Sequence, residues 1–304
     1  MHTHRAAGVP VLALLVAAAA LALTTTIPSA TAIPSATTEP WLGCDAQSGN
    51  YSAGSAYAAN LLRLISVLQT NASNSPAFFA SGSAGVGAGA VVYGLMLCRG
   101  DVSASDCFDC GTRAGQDVEQ ACNRTRDTAL VYNQCYVRVA GVDFLASPNN
   151  TGLVHLIANI SIPSGVDVGA YDAAVTQLLN ATSRYAVDSS SSAAARMYFA
   201  TGQLVGLDPR VPNIWSMAQC SGDLSPEQCR GCLGVLVAMW WNGSRFHLNE
   251  EGARLTGSRC NLRSALGDKF YTGAPMVKLQ MNGEEAVPAP APSTTVAGST
   301  GGVL

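Results

Sequence analysis

The residue type with the most chemistry to offer in this chain is cysteine. Ten are present: Cys44, Cys98, Cys107, Cys110, Cys122, Cys135, Cys220, Cys229, Cys232 and Cys260. Six of them form two clusters of identical spacing, C-x8-C-x2-C, at Cys98/Cys107/Cys110 and Cys220/Cys229/Cys232, the second displaced from the first by 122 residues. Three chemistries fit paired C-x2-C: structural disulfides, a four-thiolate zinc site from Cys107, Cys110, Cys229 and Cys232, or a redox-active dithiol. The near-continuous apolar run from Ala6 to Leu23 reads as a signal peptide, with Ala30-Thr31-Ala32 as its cleavage pattern. An exported chain folds in oxidising surroundings, and further cysteines accompany each C-x2-C pair, so disulfides are the default.

The rest of the sequence gives little for catalysis. Beyond the signal segment only His155 and His247 remain, and neither a G-x-S-x-G elbow nor an H-E-x-x-H zinc motif occurs. Asp101 and Asp223 are better explained as turn residues ahead of capped helices than as an acid/base pair. The glycine-rich segment Gly82–Gly89 leads into a β-type run, whereas a phosphate cradle needs a helix N-terminus. The expectation is a non-enzyme with no cofactor and no metal.

The cysteines must be positioned by a repeated unit. Gly100-Asp101 returns as Gly222-Asp223 and Ser103 as Ser225. Ser225-Pro226-Glu227-Gln228 has the form of a capping box with proline at the first helical position, and Ser103 with Asp106 is the weaker version. A helix therefore begins in each copy just inside the motif, with its last two cysteines three apart on one face. Apolar, strand-like runs precede the motifs at Ala90–Leu97 and Asn213–Met217. Before them, Tyr57, Leu61, Leu64, Ile65 and Leu68, and then Tyr171, Val175, Leu178 and Leu179, recur at helical spacing. Further apolar stretches, Leu130–Val139 and Ala253–Leu262, lead to the last cysteines, and Cys232–Trp241 reads as a core helix or strand. Each copy is strand, helix, strand, helix, strands. The class is α+β: two tandem small disulfide-bonded domains, each an antiparallel sheet with two helices packed on it.

The divisions expected are a signal peptide over 1–32, a first domain over 33–148, a second over 149–280 and a Pro/Ser/Thr-rich disordered tail over 281–304. No apolar segment after the signal reaches the ~18 residues of a membrane helix. Net charge is −3 with sparse charged residues, which leaves no basic stripe for nucleic acid. Seven N-x-S/T sequons begin at Asn50, Asn71, Asn123, Asn149, Asn159, Asn180 and Asn242, and on an exported chain they predict glycosylation. Trp215, Trp240, Trp241 and Phe246 would mark a protein-binding surface if exposed, although Trp240-Trp241 closes an apolar run and core packing explains it better.

These features together resemble the ginkbilobin-type, or salt-stress/antifungal, domain of plant cysteine-rich repeat secretory proteins and cysteine-rich receptor-like kinases. The resemblance spans about Cys44 to Pro275. It rests on Cys44 with Gly49-Asn50-Tyr51, Tyr93-Gly94-Leu95 leading into Cys98-Arg99-Gly100-Asp101, both C-x8-C-x2-C motifs, and Gly252-Ala253-Arg254 six residues before Cys260. It implies bonds Cys98–Cys107, Cys110–Cys135 and Cys44–Cys122 in the first copy. In the second it implies Cys220–Cys229 and Cys232–Cys260, the third pair being absent. With one bond fewer, the second copy is expected to open first on heating. The family's mannose-binding pattern falls here on Asp45, Ala129 and Ala140 in the first copy and on Arg254 and Ala265 in the second, and alanine cannot hold sugar hydroxyls. Asp45 and Arg254 remain as candidate ligand contacts, with a surface salt bridge or strand-edge charge as the alternative for Arg254. The function implied is recognition in the apoplast during plant defence or stress, of an extracellular protein or cell-surface receptor before carbohydrate, with an antifungal mannose-binding lectin as the alternative and a secreted hydrolase as the reading from another class. The Pro-rich tail is similar to the stalk of receptor members, so a secretory protein and a receptor ectodomain both stay open.

Overall fold

The computed structural model describes residues 40–157, 161–190, 197–240 and 252–281. The expected signal segment 1–32, nearly all of the tail, and Asn159, Trp241, Asn242, Phe246 and His247 lie outside the described residues.

The first lobe runs β1 (Trp41–Cys44), α1 (Ala56–Asn74), β2 (Phe79–Ala84), β3 (Val92–Cys98), α2 (Ala104–Asp117), β4 (Thr128–Val131) and β5 (Cys135–Ala140). Its five strands pair antiparallel in the order β1-β4-β5-β3-β2. The second lobe repeats the plan with β6 (Val154–Ile157), α3 (Val168–Asp188), β7 (Phe199–Asp208), β8 (Val211–Cys220), α4 (Pro226–Trp240), β9 (Gly252–Thr256) and β10 (Cys260–Leu266). It then adds β11 (Val277–Gln280), and the sheet order is β11-β7-β8-β10-β9-β6. The second sheet is antiparallel like the first except at this added edge strand, where β11 lies parallel to β7. Strands β2 and β7, which follow the long helices and pair with β3 and β8, are also additional to the pattern read from the sequence.

The helices start where their caps dictate. Ser103 Oγ accepts from Asp106 N at 3.0 Å while Ser103 N donates to the Asp106 carboxylate at 3.3 Å. In the second copy Gln228 N donates to Ser225 Oγ at 3.2 Å and Ser225 N to Gln228 Oε1 at 2.8 Å. Each closed box satisfies donors that a helix N-terminus otherwise leaves open. The long helices bury the predicted stripes, Leu61, Leu64, Ile65 and Leu68 on α1 and Tyr171, Val175, Leu178 and Leu179 on α3.

β5 is buried along its whole length, and its alternation shows why. Cys135, Val137 and Val139 face the core under α1 and α2. Tyr136 and Ala140 face a separate cluster with Leu95, Ala129, Val131 and Phe144, into which Val154 and Leu156 of β6 insert. Successive strand residues point to opposite faces, so the first sheet carries helices on one side and second-lobe residues on the other. Polar contacts fasten the same boundary. Gln219 Nε2 donates to Cys98 O at 2.8 Å, and Arg138, paired with Asp127, reaches Ser258 Oγ at 3.1 Å. Gly100 is glycine because a Cβ there would meet the Phe199 ring at 2.5 Å.

Candidate functional site

All ten cysteines are joined. The pairs are Cys98–Cys107, Cys110–Cys135 and Cys44–Cys122 in the first lobe, and Cys220–Cys229 and Cys232–Cys260 in the second. The bond from Cys98 or Cys220 ties the end of a central strand to the first turn of the capped helix. Cys110 or Cys232, one turn on, ties that helix to the start of β5 or β10. Cys107, Cys110, Cys229 and Cys232 are thereby all in disulfides and present neither a zinc thiolate set nor a free dithiol.

The two candidate ligand residues stand far apart. Asp45 is exposed, and its carboxylate accepts from Gln47 N at 2.9 Å, capping the short 3-10 turn Ala46–Ser48. Cys44, its neighbour, pairs with Thr128 at one end of β4. Arg254 lies beyond the other end of β4: its Nη1 donates to Tyr132 O at 2.8 Å and its Nε to Thr256 Oγ1 at 2.9 Å. At 7% exposure Arg254 is an interior residue of the lobe boundary, which corrects the surface salt bridge and strand-edge readings. Ala129 and Ala140 are buried within the first sheet and Ala265 lies on β10.

The arginine does not stand alone there. Arg254 and Arg263 are directly opposed across β9 and β10. Arg263 Nη1 lies 3.4 Å from Asn133 Oδ1, and its guanidinium stacks on Phe270 at 3.9 Å. Arg99 donates to Asn133 O at 3.0 Å from the first lobe. Burial, followed by repulsion from Arg263 and Arg99, pushes Arg254 down to about 9; burial and then Arg99 push Arg263 down to about 10. Both stay cationic at neutral pH.

Asp101 and Asp223 have a stronger role than the turn positions expected of them. Asp101 forms an ion pair with Arg99 through two guanidinium nitrogens and accepts from Thr272 N of the second lobe at 2.6 Å. Asp223 pairs with Arg259, at 1% exposure the largest fully buried side chain among the described residues. Arg259 also donates to Leu145 O and Ser147 O, both at 2.9 Å, and so grips the connection between the lobes. Nothing in the composition or spacing marked Arg259. Its place directly before the last cysteine of the second copy was the one available signal.

Trp240 is buried in the second core, and Trp215 turns edge-on to Tyr271 while donating Nε1–H to Gly267 O at 2.7 Å. They form no joint exposed patch. The described sequon residues Asn50, Asn71, Asn123, Asn149 and Asn180 are all exposed. Glycine-rich Gly82–Gly89 begins inside β2 and continues as an exposed turn in which Val86 is 89% exposed. Among the described residues no helix is long and apolar enough to cross a membrane.

A family described as salt stress response/antifungal matches residues 43–141 and again 163–266. Cysteine-rich receptor-like protein kinase 6 of Oryza sativa subsp. japonica is 34% identical over 244 residues, which cover 79% of this chain and 34% of that protein. The chain thus spans about a third of the length of that relative. The antimicrobial ginkbilobin-2-like protein of Castanea crenata is 28% identical over 219 residues, 71% of this chain and 83% of that one. Cysteine-rich repeat secretory protein 38 of Arabidopsis thaliana is 27% identical over 223 residues, 72% of this chain and 81% of that one. Among solved structures, the tandem DUF26 ectodomain of the Arabidopsis thaliana cysteine-rich receptor-like protein PDLP8 aligns with a TM-score of 0.55 at 22% identity, covering 76% of this chain and 98% of that one. The corresponding ectodomain of PDLP5 gives 0.53 at 21%, covering 76% and 100%. At that identity these two likenesses speak for the fold alone.

Proposed function

The chain belongs to the salt stress response/antifungal family, and on that premise we propose that it is a secreted, non-catalytic recognition protein of plant defence or stress whose ligand is an extracellular protein. The observation that carries this reading is the open edge of β2. Among the described residues the strand is last in its sheet and pairs only with β3. Cys98 N donates to Phe78 O at 2.8 Å, which sets the alternation: even-numbered residues turn their peptide groups toward β3, and Phe79, Ser81 and Ser83 turn theirs away. An unpaired strand edge on a disulfide-stiffened lobe is a template for a partner strand, with main-chain hydrogen bonds supplying affinity. The sugar reading has less behind it, because each copy keeps a single polar residue of the mannose pattern, Asp45 or Arg254, and the alanines at Ala129, Ala140 and Ala265 offer no hydrogen bond to a hydroxyl.

Proline at Ser83 removes an outward donor and leaves the inner ladder intact. Quantitative capture of apoplastic proteins on the immobilised chain is expected to yield a discrete partner whose recovery falls roughly tenfold with Ser83→Pro, about the loss of one or two hydrogen bonds. Undiminished capture by that variant, or selective binding to mannan on a glycan array, would overturn the reading.

Glycosylation belongs to the same proposal. The exposed sequon residues, with Asn159 and Asn242 beyond the described segments, would carry glycans that hold a sparsely charged protein in solution. Material expressed in plant cells is expected to lose mass on glycosidase treatment, and an unchanged mass would sink this expectation.

A further inference from the structure

We propose that the lobe boundary contains an oxyanion-binding site formed by Arg99, Arg254 and Arg263, which takes a sulfate, phosphate or carboxylate group. Three elements deliver these guanidinium groups to one place: the segment after β3, and the facing positions of β9 and β10. All three converge on the turn between β4 and β5, through Tyr132 O, Asn133 O and Asn133 Oδ1. Like charges directly opposite on neighbouring strands destabilise a sheet, and buried cations are normally paired with carboxylates. Among the described residues the one carboxylate in contact with the set, Asp101, is already taken by Arg99 and by Thr272.

Three positive charges against one leave an excess of two among the described residues. Both neighbouring guanidinium groups, Arg263 and Arg99, repel the charge on Arg254. Carbonyl oxygens satisfy some of the N–H donors but neutralise no charge. An oxyanion does both, because its oxygens accept from several guanidinium forks at once. Arg254 is buried, while Arg99, Asn133, Arg263 and Phe270 are partly exposed, and an anion would reach the set from their side. Stacking on Phe270 holds the Arg263 plane in place, so little side-chain freedom is lost on binding. The inference stands whether or not the β2 edge binds a protein.

Calorimetric titration of the full chain at fixed chloride ionic strength, with sodium sulfate, inorganic phosphate and glucuronate as separate probes, tests the site. It also distinguishes a free inorganic oxyanion from a carboxylate carried on a sugar. Saturable binding at one site per chain is expected for at least one probe. It should weaken roughly tenfold or more in Arg263→Gln and persist in Arg210→Gln, which alters a surface arginine paired with Asp208. In the absence of oxyanion Arg263→Gln is expected to melt no lower than the unaltered chain, since it removes a repulsion. Absence of saturable binding, or equal binding by Arg263→Gln, would overturn the proposal. Should that variant fail to fold, selenate soaked into crystals of the unaltered chain decides: an anomalous peak among the three guanidinium groups supports the site, and none there refutes it.

Discussion

Replacement of Arg259 by alanine is expected to cost about 3–5 kcal/mol of stability, the scale of emptying a large buried side-chain site and leaving its hydrogen-bond acceptors without donors. The guanidinium holds Asp223, Leu145 O and Ser147 O, and the Arg259 backbone N–H donates to Asn150 Oδ1 at 2.8 Å. Asp223 is 37% exposed and can recover solvation, so the ion pair is the smaller share of the loss. The larger share is the set of part-buried carbonyls left without donors, together with the void left by the side chain. Because these groups belong to the connection between the lobes, loss of Arg259 should loosen residues 145–150 and the contacts of β6 with the first sheet. Urea unfolding of Arg259→Ala and of Asp223→Ala provides the check, with the aspartate variant expected to lose clearly less. A loss below about 1 kcal/mol for Arg259→Ala would show that the network adds no more than a surface pair does.

Removal of the Cys44–Cys122 bond by paired alanine substitution is expected to cost about 2–4 kcal/mol, confined to the first lobe. The bond closes a loop of 78 residues, for which the chain-entropy estimate is about 4.5 kcal/mol. The native state returns part of that. Cys122, Asn123 and Arg124 all adopt left-handed backbone conformations, with φ of 52°, 50° and 59°, and release of the bond lets them relax at some gain. The second lobe natively lacks this bond, so its amides are expected to exchange through lower-energy openings than those of α1 and β3. In the double variant the protection of the first lobe should fall to that of the second. Hydrogen exchange read by mass spectrometry makes the comparison, and equal protection of both lobes in the unaltered chain would contradict the argument.

Much of the architecture was legible because its signals are local. The helices could be read from apolar spacing and from the Ser103 and Ser225 boxes, since a cap and a 3.6-residue period lie within a few residues of each other. The disulfide partners followed from the family resemblance, not from spacing, because many pairings of ten cysteines satisfy the same spacings. Strand β2, Phe-Ala-Ser-Gly-Ser-Ala, escaped because it has no β-branched residue and its glycine reads as a turn. Its pairing with β3 holds it extended, and no property of those six residues alone announces that.

What the sequence determined by itself is the repeated α+β unit, its capped helices and the cysteines that brace them. The tertiary structure alone decided the fate of the charged residues. Arg254 reads as a surface or ligand residue, Asp101 and Asp223 as turn residues, and Arg259 as nothing in particular. Folded, all four meet at or beside the boundary where the second lobe covers the outer face of the first sheet. Periodicity shows that a strand has two faces but not what covers the outer one, and it is that cover which removes water and turns ordinary arginines into the charges that hold the lobes together.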